Sequence, residues 1–154
     1  MRYLEQVPTC EEIGTNAFRY CVNLGADDPD VIKEILKPIK RLNNGLFMYN
    51  EVTQLNIPGH SYEEIYFSSP FSQFRNVTQL NIGAPNDPCT WMDMVAGGVL
   101  NNNSSIFAGI GTASSGVVVT IYTEHNDDAI LNSDVQSMLF GANANIASIS
   151  VVSA

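Results

Sequence analysis

The hexapeptide Val-Thr-Gln-Leu-Asn-Ile occurs twice, at Val52–Ile57 and again at Val77–Ile82. From average composition such an identity arises by chance about once in a thousand chains of this length. Each copy is rich in residues that suit a pleated surface, and each is followed by a turn signal, Pro58-Gly59 or Gly83 with Pro85. With a side-chain period of two, Thr, Leu and Ile fall on one face and Val, Gln and Asn on the other. The two copies therefore predict equivalent strands of one sheet. Two copies fall short of the three or more units that a solenoid needs, so the echo reads as a local duplication.

Strand-like texture continues on both sides of the echo. Periodicity predicts strands over 46–57, 61–67, 74–82, 105–110, 117–124 and 145–153. The run Val117 to Tyr122 is the strongest, and its β-branched density predicts burial on both faces. Helices are fewer. Asp28 as a cap, Pro29 at the first helical position and the stripe Val31, Ile32, Ile35, Leu36, Ile39 predict a helix over 29–42, with Pro38 disturbing its last turn. Shorter helices are expected over 15–25, closed by Gly25, and after Asp87-Pro88, where Trp91, Met92 and Val95 share a face. Another is expected after Ser133, where Ser133-x-x-Gln136 forms a capping box and Gly141 closes the turn.

Length and composition fit one domain. The chain has 154 residues and 45% hydrophobic residues, enough for a single core. The expected fold is mainly β, an antiparallel sandwich or jelly-roll-like domain. Residues 1–45 would form a helical segment packed on a β-rich body at 46–154.

Charge excludes whole classes of function. Lys and Arg number 7 against 16 Asp and Glu, giving a formal net charge of −9. Beyond Arg75 there is no Lys or Arg at all. Nucleic-acid binders neutralise phosphates with basic side chains, so no nucleic-acid partner is expected. The same balance opposes anionic lipid. Two stretches, Met94–Thr123 and Val135–Ala154, carry no charge. Asn, Gly and Ser interrupt both, so they read as buried strands or partner-covered surface rather than membrane spans. Residues 1–14 lack a basic start followed by an apolar run, so no secretory signal is expected. The basic cluster Lys33, Lys37, Lys40 and Arg41 lies toward the end of the expected helix, where it complements the helix dipole. It reads first as a solvated face and second as a docking surface for an acidic partner.

The inventory of reactive groups is poor. His60 and His125 are the two histidines, too few for common zinc sites. Asp127 and Asp128 do not match a calcium loop. Gly111–Gly116 has the wrong order for a nucleophile elbow, and no phosphate-cradling glycine loop occurs. Cys10, Cys21 and Cys89 make an odd set, so full disulfide pairing within the chain is impossible. Cys10 with Cys21 is the one pairing weighed against three reduced thiols. No catalytic residue, cofactor or metal is expected.

These observations favour a non-enzymatic structural or assembly protein acting through protein contacts, in particular a capsid-decoration or minor subunit of a virion. Its expected partners are itself, as a homo-oligomer with a trimer foremost, and other structural proteins. It would reside in a virion or in the cytoplasm of the producing cell. The interaction residues singled out are Lys33, Lys37, Lys40, Arg41 and Trp91. A carbohydrate- or ligand-binding β-module is the alternative, with Trp91, Tyr62, Tyr66 and Tyr122 as stacking faces. A small enzyme using His60 or His125 comes third.

Overall fold

A computed structural model describes residues 11–43, 45–60, 62, 64–65, 70–91, 105–124 and 133–154. Its elements in chain order are α1 (Val31–Leu36), β1 (Arg41–Leu42), β2 (Gln54–Ile57), β3 (Glu64–Ile65), β4 (Gln79–Ile82), β5 (Val117–Thr123), α2 (Ser133–Phe140) and β6 (Ile146–Ser153).

The sheet corrects the expected architecture. β2, β4, β5 and β6 form one four-stranded sheet in chain order, and every neighbouring pair is parallel. An antiparallel sandwich or jelly roll is thereby overturned. The hexapeptide copies do form equivalent strands: Gln54, Leu55, Asn56 and Ile57 lie opposite Gln79, Leu80, Asn81 and Ile82. Residue pairs of like chemistry therefore stack across the strands. A second, smaller parallel ladder joins Glu12 to Arg41, and β1 to β3.

Parallel neighbours in chain order require the chain to return to the same side after each strand. The returns are themselves stacked. Phe18 N–H donates to Leu46 O, Phe47 N–H to Pro70 O, Phe71 N–H to Ile106 O, and Phe107 N–H to Leu139 O, over 2.8–3.3 Å. Backbone pairing on two sides of each circuit makes the molecule a stack of coils, the geometry of a solenoid. The phenyl rings form the matching column. Phe18–Phe47, Phe47–Phe71, Phe71–Phe107 and Phe107–Phe140 have centroid separations of 5.3, 5.8, 5.3 and 5.9 Å. Each such aromatic pair adds about 0.5–1.5 kcal/mol beyond area burial. Leu55, Ile57, Leu80, Ile82, Val119 and Ile121, all buried, face this column from the sheet.

Two residues after Phe18, Phe47, Phe71 and Phe107, the backbone takes positive φ, at Tyr20 (63°), Tyr49 (66°), Gln73 (64°) and Gly109 (75°). The repeated left-handed residue turns each circuit toward its strand. Only the last is glycine. The others hold a conformation that costs an L-residue about 1–2 kcal/mol, offset by the backbone ladder beside them.

Several local expectations change for the same reason. Residues 105–110 form turns rather than a strand, because Phe107 belongs to the column and Gly109 and Gly111 are left-handed. Residues 15–25 are turns, not helix, with Asn16 and Tyr20 at positive φ, although Gly25 does terminate them at φ 91°. The expected strand at 46–57 shrinks to Gln54–Ile57, and that at 74–82 to Gln79–Ile82. Ahead of each strand Val52 and Val77 turn inward and both Thr residues outward, against the simple alternation. The expected strand at 61–67 is seen as Glu64–Ile65. The first helix spans Val31–Leu36, shorter than expected, since Arg41–Leu42 is recruited into the small ladder beyond Pro38. Asp28 bonds the Asp30 N–H (2.9 Å) just before it. β5 alternates between a buried face and an outer face on which Val118 is 48% exposed, so it is not buried on both sides. β6 and the helix Ser133–Phe140 form where expected. The helix expected after Pro88 runs into residues outside the described ones.

Candidate interaction surface

Register and alternation together define the outer face of the sheet. Gln54, Gln79, Val118 and Ser148 form one row across the strands. Asn56, Asn81, Thr120 and Ser150 form the next, and Tyr122 with Val152 a third. No member is charged, on a chain whose net charge is −9. The amides are organised: Asn81 Nδ2 donates to Asn56 Oδ1 (3.0 Å), and Asn56 Nδ2 donates to Asp30 Oδ1 (2.8 Å). Gln54 Nε2 also donates to Asn56 Oδ1 (3.3 Å). The ladder presets the orientation of donors and acceptors on a rigid support. It passes from polar at β2 and β4 to apolar at Val118, Tyr122 and Val152.

The basic cluster is divided by the fold. Lys40 pairs with Glu11 (2.6 Å) and Arg41 with Glu12 (3.2 Å), tying residues 11–12 to the small ladder. Lys33 and Lys37 line a cleft of ≈400 Å³ with Pro58, His60, Asn86 and Asp87. Lys37 pairs with Glu34 (2.5 Å), and the Asp87 carboxylate accepts the Gly59 N–H (3.0 Å). His60 Nε2–H donates to Ile39 O (2.8 Å), which places its proton on that nitrogen. Lys37, His60 and Asp87 thus serve structural bonds. Trp91, singled out as an interaction residue, is 1% exposed and belongs to the core.

Of the aromatic residues considered for sugar stacking, Tyr62 and Trp91 are buried, Tyr122 lies half-buried on the outer sheet face, and Tyr66 is outside the described residues. Cys21 is exposed and Cys89 buried, neither of them in a disulfide; Cys10 and His125 lie outside the described residues. Among the described residues no group of three His, Cys, Asp or Glu side chains could hold a metal ion. Likewise, no helix among them is long and apolar enough to cross a membrane.

Tyr62 packs between the rings of His60 (4.6 Å) and Trp91 (6.5 Å). Burial, then the charges of Cys89 and Asp87, hold its phenol protonated far above the ordinary tyrosine range. Folding thus favours the neutral form. Its stabilisation is complete below the unfolded value of 10.0 and is lost as pH rises past it. A spectrophotometric titration of wild type against Tyr62→Phe should show Tyr62 failing to ionise until the chain unfolds in alkali. A wild type that differs from Tyr62→Phe by one tyrosine ionising in the ordinary range of the folded protein would contradict this burial.

Comparison of the chain with protein-family profiles, curated proteins and solved structures gives no match.

Proposed function

We propose that this chain is a protein-interaction module that receives an extended partner segment across the outer face of its parallel sheet. The supporting observation is the register-aligned, uncharged surface of Gln, Asn, Thr and Ser rows beside Val118, Tyr122 and Val152. Stacked coils offer long, evenly spaced surfaces suited to such ligands. The polar rows supply directional hydrogen bonds. Tyr122, with Val118 and Val152, supplies the apolar anchor that carries affinity in protein interfaces. The jelly-roll argument for a virion subunit falls away with the fold, so the proposal is the wider one.

A displayed library of random peptides, selected on the immobilised protein, tests it. A shared consensus should emerge on the wild type. Binding of the consensus peptide should fall at least about tenfold, or 1.4 kcal/mol, in Val118→Asp and Thr120→Asp, with unfolding midpoints unchanged. A consensus that binds both variants as well as wild type, or no consensus at all, overturns the reading.

A further inference from the structure

The two edges of the four-stranded sheet are treated differently. At the β2 edge, α1 packs where another strand would stand, and Asp30 at its start bonds Asn56. At the other edge lies β6, eight residues long, Ile146–Ser153, with a strand on one side only among the described residues. Beside it, α2 and β6 border a groove of ≈620 Å³ lined by Gln136, Phe140, Ala144, Ile146 and Ile149. Nothing along β6 resists pairing: it has no charge, no proline and no glycine.

The outward backbone groups can be assigned. Ala154 N–H donates to Thr123 O on β5. By alternation Ser148, Ser150 and Val152 turn their amides toward β5, while Ile149, Val151 and Ser153 turn theirs away. The side chains of Ile149 and Val151 are half-buried on the core face.

We propose that this edge pairs with the same edge of a second copy, β6 against β6, antiparallel about a two-fold axis. Charge selects a second copy and this place on it. The chain is strongly acidic, yet Val135–Ala154 carries no charged residue, so two copies meet here without opposing like charges. The opposite end offers no such contact: α1 covers the β2 edge, and Asp27, Asp28 and Asp30 precede it. Head-to-tail stacking is thereby disfavoured and a closed two-fold contact favoured. An axis through Ser150 sets Ile149 opposite the partner's Val151 on the core face. Each such pair exchanges two backbone hydrogen bonds through the outward amides. Ser150 then stands directly opposite its own copy on the outer face. The contact uses the edge of the sheet and stands or falls independently of the proposal for its face.

Sedimentation velocity on the full chain, from micromolar to hundreds of micromolar, provides the test. The wild type should reach twice its 16.8 kDa mass and stop there. Ser150→Lys places like charges opposite each other across the axis. It should weaken the dimer at least about tenfold while leaving the thermal midpoint of the dilute protein unchanged. With Cys10 and Cys21 replaced by serine, Ser150→Cys should form a disulfide-linked dimer on mild oxidation, since directly opposed residues of this pair type lie within bridging distance. A wild type that stays monomeric, association that grows without limit, or a dimer indifferent to Ser150→Lys would each overturn the proposal.

Discussion

Replacing Phe71 by alanine should lower the unfolding free energy by about 3–5 kcal/mol, the usual cost of removing a buried aromatic ring. Phe71 is 1% exposed and central to the ring column, stacked on Phe47 at 5.8 Å and Phe107 at 5.3 Å, with Phe74 edge-on at 6.0 Å. Its stacked neighbours cannot close over the gap, because each is fixed by a backbone bond to the adjacent coil: Phe47 N–H to Pro70 O, and Phe107 N–H to Leu139 O. Single domains have about 5–15 kcal/mol in total, so the variant would lose a large part of its stability. Urea denaturation followed by circular dichroism measures the loss. Phe71→Leu should recover much of it, because apolar volume is partly restored. A loss below about 1 kcal/mol for Phe71→Ala would show that the column is not the centre of the core.

A comparable loss, about 4 kcal/mol, is expected for Asn50→Leu, which keeps the branched shape of the side chain and removes every one of its hydrogen bonds. Asn50 is 2% exposed. Its Nδ2 donates to Cys21 O (3.2 Å) and Leu24 O (2.9 Å), and its Oδ1 accepts the Val52 N–H (2.8 Å). One side chain thus fastens the loop at 21–24 to the coil that leads into β2. Leucine would take the partner from the Leu24 carbonyl and the Val52 amide, and leave Cys21 O with the Leu24 N–H alone. Asn50→Asp offers a finer measurement. The carboxylate still accepts from Val52 but faces two carbonyl oxygens, so the folded state favours its protonated form. The variant should therefore be weakest near neutral pH and gain stability as pH falls toward the unfolded aspartate value of about 3.9. Stability independent of pH, relative to wild type, would contradict that geometry.

Much of the sheet was legible in the residues. β5 and β6 are dense in β-branched side chains, and the Ser133 box with Gly141 marked α2. The hexapeptide echo announced its own pairing. Strand direction was not legible, because alternation is the same in parallel and antiparallel sheets. The coil period was hidden by unequal circuits. The phenylalanines at 18, 47, 71, 107 and 140 are separated by 29, 24, 36 and 33 residues. No fixed spacing exposes such a column, and two exact repeats suggested a duplication instead of the stack. The segment Ile106–Ile110 misled for a related reason: its apolar alternation comes from a turn that places Phe107 inward, and positive φ at Gly109 is invisible to a period-two pattern. The outer sheet face was legible only as Gln-x-Asn in each hexapeptide. Its value as a surface depended on a register that joins residues 25 to 39 positions apart. The lysines drew attention because charge stands out in a chain that lacks it, and two pairs with Glu11 and Glu12 absorb half of the cluster.

The unequal circuits have a consequence for how the molecule comes apart. Each coil touches mainly its predecessor and its successor, so the chain behaves as a line of coupled links rather than as one body with a shared centre. Interior links, held from both sides, open at greater cost than a link held from one side only. Pulled by its ends, such a line would shed its coils one at a time, each release lengthening the tether by the size of its own circuit.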